Sequence, residues 1–153
     1  MLGLLAGPCL ALLLVRRRLS RNATAFRTAG CIGIALVFAF TGMGHFVKTD
    51  AMVEMLPPFV PQRRELVIAI GFIELAAAMA VLVPRLRQFV GYGLIAMLVL
   101  FFPLNIYAAI MYVPMGGHAS GPAYLLIRAP LQTILIGWVW WFAVRQPDTP
   151  HGA

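Results

Sequence analysis

Five polar side chains stand out in a chain otherwise built from apolar residues. Glu74 closes the stretch Gly71-Phe72-Ile73-Glu74 and has apolar residues on both sides. A carboxylate inside a membrane helix costs roughly 2.5–3.5 kcal/mol on insertion scales, so it needs partners. His45, Asn105 and the pair Arg128 and Gln132 lie in three other apolar segments. Glu74 and His45 are of the types that relay protons, Arg128 holds negative charge, and Asn105 and Gln132 orient a ligand by hydrogen bonds. All five are candidate ligand-binding residues, and Glu74 and His45 are the candidates for catalysis. Asn105 and Gln132 are equally read as hydrogen-bonding glue between helices. The sequence shows no metal site and no redox centre. Cys9 and Cys31 form no C-x-x-C, and there is no dinucleotide glycine motif and no facing histidine pair for haem. The chain therefore carries no intrinsic cofactor.

The elements that position these residues follow from composition. Of 153 residues 61% are hydrophobic and 11% charged, with a mean hydropathy of +0.88. A soluble domain carries about 25% charge, so this is the profile of a polytopic membrane protein. The predicted fold is all-α: a membrane four-helix bundle with spans at about 26–47, 65–83, 89–112 and 123–144. Residues 1–25 form an N-terminal apolar segment and basic connector, and 145–153 a cytoplasmic tail. The run Leu2–Val15 reaches roughly 20 Å as a helix, short of a ~30 Å hydrocarbon core. It reads as an additional short helix, spanning or interfacial. Residues 48–64 are the longest loop. Asp50 is placed to N-cap a short turn there, before Pro57, Pro58 and Pro61 stop regular helix. This loop reads as a lid on the membrane surface.

Charge sets the orientation. The net charge is +7. Arg16, Arg17, Arg18, Arg21, Arg27, Arg85, Arg87 and Arg145 fall on one side, and Lys48, Arg63 and Arg64 on the other. The excess places the C-terminus in the cytoplasm and loops 48–64 and 113–122 outside. The arginines meet lipid rather than nucleic acid, since no aromatic interleaving accompanies them. Trp138, Trp140 and Trp141 fit an inner aromatic belt. Depth then unites the polar residues. Glu74 lies roughly 13 Å below the outer end of its span, Asn105 roughly 10 Å, and Arg128 and Gln132 roughly 7 and 13 Å. His45 is at the outer surface. Glu74 with Arg128 is the expected charge pair, and Gly71 and Ala78 on the Glu74 face would let a neighbouring helix come close.

Six short motifs run in order: Gly42-x-x-His45-Phe46, Met55-x-Pro57 to Pro61, Gly71-x-x-Glu74, Leu82-x-Pro84, Phe102-Pro103-x-Asn105 and Arg128-x-Pro130-x-Gln132. Together they resemble the DoxX family of small four-helix membrane proteins, over about Thr28 to Trp141. The resemblance implies a bacterial plasma (inner) membrane and an association with redox systems that handle quinones or sulfur compounds. Quinone is the cofactor it suggests. The implied partners are the lipid bilayer and a protein, either an oxidoreductase subunit or a client membrane protein, with oligomerisation open. Two functions follow. One is an oxidoreductase subunit binding a quinone-like or small polar ligand in an outward-facing pocket. The other is a non-enzymatic assembly factor or small-solute carrier. Whether the chain is an enzyme is left open by its sequence.

Overall fold

The computed structural model describes residues 23–145, and among these it contains helices and turns but no strand. The apolar segment 2–15, most of the basic connector and the tail from 146 onward lie outside the described residues. Helix α1, Ala23–Val47, is an unbroken proline-free run. A bend at Lys48 leads into a short helix α2, Thr49–Glu54. The Thr49 hydroxyl ties the bend by donating to the His45 carbonyl at 2.6 Å. Asp50 does not cap α2, because the helix begins one residue earlier with Lys48 in the cap position. Asp50 instead pairs with Arg64.

After the proline loop, α3 spans Arg63–Ala80 and α4 spans Arg87–Ile110, with Pro103 inside α4. A 3-10 segment, His118–Tyr124, leads into α5, Leu125–Val139, which continues as one π-helical turn, Trp140–Val144. Three helical stretches are long and apolar enough to cross a membrane: Ala25–Val47, Arg87–Ile110 and His118–Val144. Helix α3 is shorter and carries Arg63, Arg64, Glu65 and Glu74. Large apolar side chains such as Leu36, Phe40, Phe72, Phe89, Leu100 and Leu126 point outward, as they do where lipid is the solvent.

The helices pack as two pairs. α1 lies chiefly against α3, and α4 against α5 and its π turn, while α3 and α4 barely meet. One end of the molecule is closed. There Cys31, Ile34, Val81, Leu94, Val139 and Ala143 form a buried core with Phe142. Gly30 lets the Phe142 ring sit against α1, where a β-carbon would be 2.1 Å from the ring. The same end is laced by charge. Arg27 donates to the carbonyls of Phe142 and Ala143 at 3.0 and 3.3 Å, and buried Arg87 to that of Val81 at 3.3 Å. These are helix C-terminal carbonyls, which lack partners in their own helices. Trp138 belongs to this core and donates to the Gly30 carbonyl at 3.2 Å. Of the three tryptophans Trp140 and Trp141 present exposed rings, with Arg145 over Trp141 at 4.3 Å.

Candidate functional site

At the opposite end the two helix pairs part and enclose a cavity of about 380 Å³. Its wall is mostly apolar, with Val37, Phe38, Val67, Leu98, Phe101 and Leu131 among its lining. All five polar residues singled out in the sequence reach it: His45, Glu74, Asn105, Arg128 and Gln132. Residues 48–56 lie over it, through Lys48, Met52, Met55 and Leu56.

Each polar residue is held by the element that carries it. Glu74 is 5% exposed, because α1 and α3 touch closely on either side of it. At Gly42 an added β-carbon would lie 3.2 Å from the Glu74 β-carbon, and at Gly71 it would lie 2.8 Å from that of His45. These two glycines bring His45 Nε2 to 3.8 Å from Glu74 Oε2. The charge pair expected between Glu74 and Arg128 does not form. Among the described residues the contacts between acidic and basic side chains are His45 with Glu74 and Arg64 with Asp50. The reason is helix pairing: α3 is pressed against α1, and α5 lines the cavity from the other pair.

Gln132 is held more tightly. Its Nε2 donates to the Leu98 carbonyl at 2.6 Å, which links α5 to α4. That bond fixes the amide and leaves Oε1 as an acceptor without a partner among the described residues. Asn105 donates through Nδ2 to the Phe101 carbonyl one turn back, at 2.7 Å. Its Oδ1 then meets Nε2 of His118 at 3.2 Å.

His118 is the residue that sequence reasoning passed over. It sits in the 113–122 loop without a motif, yet it is 4% exposed and holds the loop against α4. Its Nδ1 is 2.6 Å from the Met115 carbonyl, and its ring packs edge-on against Tyr124. The one signal for it was the pair Gly116-Gly117, both at positive φ, which fold the loop inward. A β-carbon on Gly117 would also meet the Tyr124 ring at 2.5 Å.

Among the described residues four buried side-chain atoms have no hydrogen-bond partner: His45 Nδ1, Glu74 Oε2, Arg128 Nε and Gln132 Oε1. All four residues line the same cavity. Stranded polar atoms are rare in folded proteins and expensive where no solvent reaches them. No group of three or more metal-ligating side chains occurs among the described residues.

Fold and site together define an all-helical protein with three helices able to cross a membrane and a polar-tipped apolar cavity at one end. Residues 34–143 match the family described as Domain of unknown function (DUF8561), and the chain belongs to that family. No curated protein and no solved structure matches it. The resemblance to DoxX is therefore corrected: the family model that matches is a different one. Glycine at helix contacts and proline at helix ends recur in any small helical bundle, so six such motifs carry little identity. The expectations of quinone and sulfur redox chemistry rested on that resemblance and lose their footing with it.

Proposed function

We propose that this chain is a four-span integral membrane protein that binds a small amphipathic ligand, with a non-enzymatic carrier or assembly role. The observation that carries the reading is the cavity with four buried polar atoms lacking partners among the described residues. An apolar wall with a few convergent polar groups is the usual form of a small-molecule site. The fourth span is α3. Its buried Glu74 faces the interior, and Arg63, Arg64 and Glu65 are gathered at one end, where they reach the head-group region. Arg27, Arg85, Arg87 and Arg145 at the closed end support an orientation with that end and the C-terminus in the cytoplasm and the cavity opening outward. The head group lies among Glu74, His45, Arg128 and Gln132, while the apolar body lies along Phe38, Leu98 and Leu131.

The test is native mass spectrometry of protein solubilised in mild detergent, with solvent extraction of what it retains. A retained small molecule, lost in Leu131→Trp where the cavity is filled, is the expected result. Protein that retains and takes up no small molecule, with an unchanged melting temperature across added amphiphiles, refutes the reading. Quinones belong among the molecules assayed.

A further inference from the structure

We infer that the head group the cavity accepts is zwitterionic, an ammonium a few atoms from an anionic oxygen group. The inference rests on the ligand-binding reading above and deepens it.

The argument comes from the chemistry of the partnerless atoms. Glu74 Oε2 and Gln132 Oε1 are acceptors, the second fixed as one by the bond from its Nε2 to Leu98. Arg128 Nε can only donate. Lys48, exposed at the start of the lid and lining the same cavity, also only donates. His45 Nδ1 takes either role. The site therefore presents acceptors in a carboxylate and an amide oxygen, and donors in a guanidinium and an ammonium.

Single-function head groups satisfy half of this. A fatty acid or alkyl phosphate suits Arg128 and Lys48 but brings negative charge toward Glu74 and leaves Gln132 Oε1 unbonded. An alkylamine does the reverse. A quinone offers acceptors alone, which match Arg128 but neither oxygen. An ammonium paired with a phosphate or carboxylate answers both sets at once, with charge-assisted bonds to each. Such a head occurs on a membrane lipid and on a free small zwitterion, and the two sources share this chemistry.

The experiment measures binding to the detergent-solubilised full chain by native mass spectrometry. The probes are lysophosphatidylethanolamine, lysophosphatidylglycerol of the same chain, an alkylamine of matched length, and water-soluble glycerophosphoethanolamine. The expected result is tighter binding of lysophosphatidylethanolamine than of the anionic or cationic amphiphile, by about 10-fold or more. Binding of glycerophosphoethanolamine in addition identifies a free zwitterion as sufficient, and its failure to bind identifies a lipid source. Glu74→Gln is expected to erase the preference over lysophosphatidylglycerol, and Lys48→Gln, on an exposed residue, the preference over alkylamine. Equal affinity for all three amphiphiles in the wild-type chain overturns the zwitterion inference while ligand binding stands. No uptake of any probe overturns both. The wild-type series decides the matter even where a variant fails to fold.

Discussion

Glu74 is the residue on which most of the interior chemistry turns, and its neighbour is His45, not Arg128. The contact at 3.8 Å is long for a hydrogen bond but close enough for charge and dipole to be felt. A double-mutant cycle separates the two pairings. Glu74→Gln combined with His45→Gln is expected to show a coupling of about 0.5 kcal/mol or more, and Glu74→Gln with Arg128→Gln a smaller one. The reverse order, measured by unfolding in detergent micelles, would contradict the helix pairing. Gln132 supplies a second expectation at this scale. Gln132→Leu removes the bond to the Leu98 carbonyl and is expected to destabilise by about 1 kcal/mol, seen as a lower melting temperature. The five polar residues were legible in the sequence because an ionisable or amide side chain within an apolar run has few structural reasons to be there. His118 was not, because a histidine in a glycine-containing loop reads as solvated until the loop is seen folded onto α4. The Glu74 partner was also illegible, since depth along a helix says nothing of which helices are neighbours.

At the scale of the elements, glycines decide which helices touch. Gly30 and Gly91 admit the π turn at the closed end, where β-carbons would lie 2.1 Å from Phe142 and 2.8 Å from Val144. Gly42 and Gly71 admit α1 to α3 beside the cavity. Gly93, by contrast, has nothing within 4 Å of where its β-carbon would be. Gly30→Ala is therefore expected to destabilise by about 1–3 kcal/mol through overpacking. Gly93→Ala is expected to be neutral or to stabilise by about 0.5–1 kcal/mol, since alanine is the better helix former. Adding Phe142→Leu to Gly30→Ala should recover part of the loss, and melting curves of the four proteins check all of this. The apolar runs marked out the long helices, and prolines marked the breaks between them. The π turn carries no comparable signal. Trp140–Val144 reads as one more helical turn, and the widening that lets Arg145 N–H reach the Trp140 carbonyl at 2.8 Å comes from packing against α1 and α4. The break after α2 was recognisable from Pro57, Pro58 and Pro61, although the cap of α2 fell on Lys48 rather than Asp50.

The whole molecule has two unlike ends, and that asymmetry makes a cavity possible. One end is filled by aromatic and aliphatic side chains and fastened by Arg27 and Arg87 on helix carbonyls. The other holds the two helix pairs apart, with residues from the 48–56 segment and the His118 loop lining the space between them. In a membrane the partnerless polar atoms of this half gain nothing from lipid tails, which offer no hydrogen bonds. Ligand binding as proposed requires the open half to face the compartment that supplies the ligand, so orientation is part of that proposal. If the arginine-rich end is cytoplasmic, α3 must cross the bilayer together with the three more apolar helices. Single cysteines placed in a background lacking Cys9 and Cys31 test this directly. Cysteines at Phe59 and Ser120, in loops at the open end, should react with a membrane-impermeant maleimide added to intact cells. Cysteines at Arg85 and Arg145 should react only after the cells are opened. Labelling of Phe59 and Arg85 positions from the same side would mean that α3 does not span, and the cavity would then lose one wall of its enclosure within the bilayer.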